Sequence, residues 1–262
     1  MPRHNLEALL LRVVDFGESD RIVHLLTPES GRLTAIAKGA RRSVKRFPGT
    51  LDLFNHLKIQ VYRSRPGRMA HLQQARLVSP FVALRENPRR FALACYLLEL
   101  FDRLSPEGGS PRESEDLFRF ALRVFTALEC AEPDARLRVL LELRTLDALG
   151  LRPELSQCVR CGAPPESPPR LPGFHLPDGG LVCAACSPPG ESLIRVHLGT
   201  LRALETVLRL DLDRLDRLSL GPAALAEATE LVVRFARFHV GIELRSESFL
   251  DETLGRPRAP GG

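Results

Sequence analysis

The stretch Arg21-Ile22-Val23-His24-Leu25-Leu26-Thr27-Pro28-Glu29-Ser30-Gly31-Arg32-Leu33-Thr34-Ala35-Ile36-Ala37 decides the architecture of the first third of this chain. Its two ends are short apolar or alternating runs with the two-residue period of a strand that buries one face. The Thr27–Gly31 segment between them is built from turn formers. A similar run, Ala8–Val14, lies upstream and closes on Asp15-Phe16-Gly17, and two more lie downstream, from Leu51 to Tyr62 and from Arg68 to Val78. Five short strands without an intervening helical pattern predict a small closed barrel over residues 1–80. A five-stranded barrel of the OB type suits this size because closure removes exposed edges. An SH3-like barrel is the structural alternative.

Beyond Asn87 the period changes. Phe91, Ala94, Cys95, Leu98, Phe101 and Asp102 recur at helical spacing, and Leu117, Phe120, Ala121, Val124, Phe125 and Leu128 repeat the pattern. A third helix is expected from Pro133 to Gly150, and two more over Leu198–Leu210 and Ala223–Val240. The predicted class is α+β: the barrel, then an α-helical domain over 81–250 that carries an inserted module at 155–190. Residues 251–262, rich in Gly, Pro and Arg, read as a flexible tail.

The module is marked by Cys158, Cys161, Cys183 and Cys186, two CxxC pairs separated by 21 residues. Each pair lets two thiolates reach one ion from a single turn, and two such turns close a tetrahedral cage. Such a cage leaves no open position for water or substrate, so one structural zinc ion is expected. Disulfides are the rival reading. The N-terminus has no signal-like apolar stretch and no run is long enough to span a membrane, so a cytoplasmic, reducing setting is expected and favours metal. Cys95 and Cys130 fall in helical apolar patterns and read as inert core residues. His175, between the pairs, is a weak fifth candidate in a site four cysteines already fill.

Charge is unevenly distributed. Residues 1–80 hold 14 Arg and Lys against 6 Asp and Glu, a net +8, whereas the remaining 182 residues carry −3. Such asymmetry points to a polyanionic partner, nucleic acid first. Five cations fall within nine positions at Lys38, Arg41, Arg42, Lys45 and Arg46, directly after a predicted strand. Arginine clamps phosphate with two hydrogen bonds and lysine adds point charge. Arg63, Arg65 and Arg68 form a second basic lobe on a predicted hairpin turn. Most of Phe16, Phe47, Phe54 and Tyr62 read as core, but each could offer a stacking face to unpaired bases; Phe47, beside the cations, is the best placed of them.

Nothing resembles an enzyme's active centre. The chain has no GxxxxGK[ST], GxGxxG or GxSxG motif, its acidic residues are scattered, and its seven histidines occur singly. His24 and His56 read as structural, and Asp15, Glu18, Ser19 and Asp20 as turn residues. No catalytic residue and no small-molecule substrate are expected.

Several segments taken together resemble bacterial RecO, a family of DNA repair and recombination mediators, with a Deinococcus member as the expectation. The resemblance rests on Leu11–Asp20, Leu26–Leu33, Ala37-Lys38-Gly39-Ala40-Arg41, Leu149–Pro153, Cys158–Gly162 and Gly179–Cys186. It implies an OB-fold, a helical domain and a zinc knuckle. It also implies binding of single- and double-stranded DNA and annealing of complementary strands without ATP. With a RecR-like partner such proteins help load RecA on DNA coated by single-strand-binding protein, whose C-terminal tail they touch. Carried over by position, Lys38, Arg41, Arg42, Lys45 and Arg46 match the family's basic stretch. A nucleoid-associated protein is the corresponding expectation. The competing reading is an adaptor that recruits repair partners through its helical domain without touching DNA.

Overall fold

The computed structural model describes residues 4–43, 45–63, 68–165 and 171–255. Arg65 and most of its expected hairpin turn, Val44, Pro168, Pro169 and tail residues 256–262 lie outside the described residues. The chain forms two compact units, Met1–Glu132 and Pro133–Gly262.

The first unit begins with five strands, β1 (His4–Phe16), β2 (Asp20–Thr27), β3 (Gly31–Ala37), β4 (His56–Tyr62) and β5 (Ala70–Ser79). They close into a barrel in the order β1-β2-β3-β5-β4, the OB-type barrel expected. All pairings are antiparallel except β3 with β5, where Ala35 faces Ala70 and Ile36 faces His71. The alternation seen in the sequence is the cause. Leu33, Ala35 and Ala37 of β3 join Val23, Leu25, Leu57, Ile59 and Val61 in the barrel core, while Arg32, Thr34 and Ile36 face outward.

Three helices complete this unit: α1 (Ala83–Glu86), α2 (Pro88–Leu104) and α3 (Pro111–Cys130). Asn87 caps α2 by accepting the Arg89 and Arg90 N–H groups, and Ser110 caps α3 through the Glu113 N–H. The barrel expected over 1–80 lies within a compact unit that runs on to Glu132. The physical reason lies in β1 and β2. Leu9, Leu11 and Leu26, which alternate with barrel-core residues, are themselves 0%, 3% and 0% exposed. Apolar groups pointing out of a small barrel need a cover, and α2 and α3 pack against these strands.

The second unit holds α4 (Ala135–Ala148), a small sheet of β6 (Glu154–Cys158), β7 (Gly173–His175), β8 (Gly180–Val182) and β9 (Ile194–Arg195), then α5 (Leu198–Arg209), α6 (Pro222–Val240) and α7 (Arg245–Leu254). The sheet order is β6-β8-β7-β9, and the cysteine module is inserted between α4 and α5 as expected. Phe174 of β7 packs edge-on against Phe235 of α6 with ring centroids 6.0 Å apart, and His239 of α6 meets the Leu176 carbonyl at 2.9 Å. The predicted tail needs correction over 251–254. Leu250 is fully buried, Asp251 pairs with Arg138 of α4 at 2.6 Å, and these contacts hold α7 to Leu254.

Candidate nucleic-acid interface and metal centre

The basic stretch forms the connection that leaves β3 after Ala37. Its conformation is set from the neighbouring β1–β2 turn. The Asp20 carboxylate accepts the Gly39 N–H at 2.8 Å and pairs with Lys38 Nζ at 2.8 Å. Those two contacts, the lysine's first, hold the Asp20 carboxyl below the usual carboxylate range. Arg41 donates its backbone N–H to the Ser19 carbonyl at 3.0 Å, and its guanidinium lies 3.7 Å from Asp15. Gly39 has φ +64, and a Cβ there would also approach Arg46 Nη2 at 3.1 Å. Arg46 in turn donates to the Lys38 carbonyl at 2.7 Å and to Ser43 Oγ at 3.2 Å. Arg42 and Lys45 stand exposed.

The five predicted cations therefore gather on one loop, but in three states: Lys38 and Arg41 face carboxylates, Arg46 is tied to the loop itself through the Lys38 carbonyl and Ser43, and Arg42 and Lys45 have no ion pair among the described residues. Arg63 and Arg68 are exposed at the ends of the β4–β5 connection. Two further cations were not singled out in the sequence. Lys58 and Arg76 are exposed and directly opposite each other on β4 and β5. Their place at outward positions of alternating strands was the available signal.

Phe47 requires correction as a stacking candidate. It is 5% exposed and belongs to the barrel core, with the Arg46 guanidinium 5.4 Å from its ring centre. Apolar closure of the barrel takes the ring that stands beside the cations in sequence. Phe54 is likewise fully buried. Phe16, at 51% exposure, is open to solvent, and Tyr62 is half-buried and stacks on His71 at 4.8 Å with rings 14° apart.

His24 has the structural role expected of it. Its Nδ1 lies 2.6 Å from Asp102 Oδ1, and Arg32 Nε reaches the same oxygen at 3.0 Å. Asp102 ends the apolar face of α2 and is 4% exposed, so a buried carboxylate ties the helix to β2 and β3. Burial works to raise its carboxyl, but the hydrogen bond and charge of His24, then those of Arg32, hold it below the usual range. His56 is half-buried beside Glu7, and desolvation lowers its imidazole.

In the second unit the four cysteine sulfurs lie within 4.8 Å of one another, with Cys161 Sγ and Cys183 Sγ 3.6 Å apart. A tetrahedral ion with metal–sulfur bonds of about 2.3 Å requires sulfur spacings of about 3.8 Å, so the donor set fits. Gly162, at φ +75, donates to the Cys158 carbonyl and makes the first knuckle's turn. Burial works to raise the Cys158 thiol, yet the N–H groups of Cys183, Arg160 and Cys161 bring it down to about 6. Hydrogen bonding with the Cys161 and Cys183 sulfurs pushes Cys186 up to about 12. Four sulfurs this close cannot all be thiolates without a cation among them, which is the chemistry of a metal-holding site.

Arg160, between the first two cysteines, joins the knuckles. It donates to Asp178 at 2.7 Å, to the Cys186 carbonyl at 2.7 Å and to Glu191 at 2.6 Å. His175 sits in this ion-pair network, 3.1 Å from Asp178, outside the sulfur cluster. Of the other cysteines, Cys95 is half-buried and desolvation pushes its thiol up to about 11, in keeping with an inert role. Cys130 is exposed at the end of α3, where the helical pattern had placed it in the core. No described helix is long and apolar enough to cross a membrane.

Residues 1–81 match the family model described as recombination protein O N terminal, and residues 85–248 match that described as recombination protein O C terminal. Similarity to curated proteins covers almost the full length. The chain is 37% identical over 253 residues to DNA repair protein RecO of Anaeromyxobacter dehalogenans, covering 96% of this chain and 97% of that protein. It is 33% identical to DNA repair protein RecO of Symbiobacterium thermophilum, with 96% and 98% coverage, and 34% identical to that of Myxococcus xanthus, with 95% and 98%.

Proposed function

The chain belongs to the RecO family of DNA repair proteins, and from that membership we propose that it is a non-enzymatic DNA-annealing and recombination-mediator protein. Its barrel binds single- and double-stranded DNA through the loop of Lys38, Arg41, Arg42, Lys45 and Arg46, with Arg63 and Arg68 as a second contact. The observation that carries this reading is a tethered cationic loop whose Arg42 and Lys45 project into solvent. Annealing needs two repelling phosphate backbones neutralised while the bases stay free to pair, and a solvent-facing cationic patch does this without bond chemistry. With a RecR-like partner the protein would help load RecA on DNA coated by single-strand-binding protein and would contact that protein's C-terminal tail. It would work in the cytoplasm, with the nucleoid.

Cys158, Cys161, Cys183 and Cys186 would hold one zinc ion, which when bound supplies a cross-link between the two knuckles. The chain's own Arg160 aligns those knuckles from outside the sulfur cluster.

The decisive test is annealing of two complementary labelled strands without ATP, bare and precoated with single-strand-binding protein. Rapid pairing that fades with salt is expected. Absence of DNA binding would overturn the proposal. An adaptor reading draws on the exposed Phe238, Ile242 and Phe249 of the α6–α7 region, which offer apolar contact to a partner protein. Binding of bare DNA without pairing of coated strands would favour it.

A further inference from the structure

The loop that carries the cations is held against an acidic turn. Asp15, Glu18 and Asp20 bracket the β1–β2 connection, and the pairing of β2 with both β1 and β3 brings that turn beside the loop that leaves β3. Lys38 Nζ is 2.8 Å from Asp20, and the Arg41 guanidinium is 3.7 Å from Asp15 and 3.4 Å from the Glu18 carbonyl. Asp20 is 17% exposed and Lys38 60%, so the ammonium is open to solvent on the side away from the carboxylate. A phosphate approaching Lys38 meets a cation that already has an anionic partner.

We propose that Asp20, seconded by Asp15, is an intramolecular competitor of phosphate that sets how tightly the basic loop holds DNA. This deepens the DNA-binding reading above and rests on it. The carboxylate does two separable things. Through Oδ1 it fixes the loop backbone by accepting the Gly39 N–H, which a neutral amide oxygen can also do. Through its charge it competes for Lys38, which an amide cannot do. When DNA takes Lys38, the released carboxylate recovers a salt cation, and that uptake cancels one of the counterions DNA gives up. Binding is thereby weakened and its salt dependence flattened, as suits a protein that must release strands once they have paired.

The test compares Asp20→Asn with the wild-type full chain, using a labelled oligothymidylate and a labelled duplex across a sodium chloride series. Asp20→Asn should raise affinity at low salt about two- to fivefold, the size expected for an exposed ion pair. It should also steepen the slope of log K against log salt by about one. In a Lys38→Gln background both gains should vanish. Glu29→Gln, at the opposite end of β2, changes net charge equally and should leave the slope unchanged. Asp15→Asn should give a smaller gain and is the second variant should Asp20→Asn lose its fold by circular dichroism.

Equal gains in Asp20→Asn and Glu29→Gln would overturn the proposal in favour of bulk charge. So would unchanged affinity in folded Asp20→Asn and Asp15→Asn, provided wild type binds and Arg42→Glu with Lys45→Glu weakens it. Wild type that binds no DNA would instead overturn the functional reading, and this inference with it.

Discussion

Lys38 Nζ lies 2.8 Å from the Asp20 carboxylate, 18 residues away, and the next residue's N–H is held by the same group. The loop's most direct cation after β3 is therefore also one of its anchors. Reversing Lys38 to Glu would set two carboxylates against each other at that anchor and loosen the loop as well as remove a cation. Arg42 and Lys45 give the cleaner probe.

Arg42→Glu combined with Lys45→Glu is expected to reduce DNA affinity strongly and to lower the salt slope by about two, one for each lost phosphate contact. Tm should stay within about 2 °C of wild type, because both side chains are exposed. Fluorescence anisotropy over a salt series and a thermal melt are the measurements. Unchanged affinity would remove the loop from the interface.

Phe47→Ala should act on stability. Truncating a buried phenylalanine costs about 3–5 kcal/mol, and Phe47 is part of the barrel core. Denaturant unfolding should show the loss. Tyr62→Ala, at a half-buried ring that stacks on His71, should cost less stability and more affinity for unpaired strands. A stable Phe47→Ala with weakened single-strand binding would return that ring to the interface.

Asp102→Asn is expected to destabilise the first unit by about 3–5 kcal/mol, since it leaves Arg32 and His24 around a neutral group at a buried site. The linked pH dependence follows from the direction of the shift. A carboxyl held below its ordinary value contributes stability that is present above that ordinary value of about 4 and is lost as pH falls through the lower folded value. Urea midpoints between pH 7 and pH 3 should fall more steeply in wild type than in Asp102→Asn. Parallel curves would show that Asp102 is not the titrating group.

Chelation, or Cys158→Ser with Cys183→Ser, should abolish zinc content and unfold the cysteine module. Structural zinc contributes about 10–16 kcal/mol of binding free energy in small modules. Arg160→Ala keeps all four sulfurs but removes the link to Asp178, Glu191 and the Cys186 carbonyl. Outer contacts of this kind are worth about 10- to 100-fold in metal affinity, and competition with a chromogenic chelator should read that loss. Metal analysis finding no zinc in wild type would dismiss the assignment.

Local chemistry made the barrel legible. Alternation in Arg32–Ala37 and the turn residues of Thr27–Gly31 depend only on near neighbours along the chain, and these determine strands and their faces. The metal-site candidate was legible for the same reason: two CxxC turns state their geometry in four residues each, and the structure brings all four sulfurs together. The helical period of α2 was equally plain, although it gave no reason for its apolar face to end on Asp102. Partners separated by long stretches of chain were not legible. Lys38 and Arg41 read as free cations because Asp20 and Asp15 lie 18 and 26 positions away, on a turn only strand pairing brings near. Phe47 read as a stacking candidate because its neighbours are charged, while its burial depends on barrel closure. Sequence thus determined which residues bear charge, coordinate and alternate. Tertiary structure decided which charges are already matched and which rings are already covered, because matching and covering are properties of pairs that only folding brings into contact.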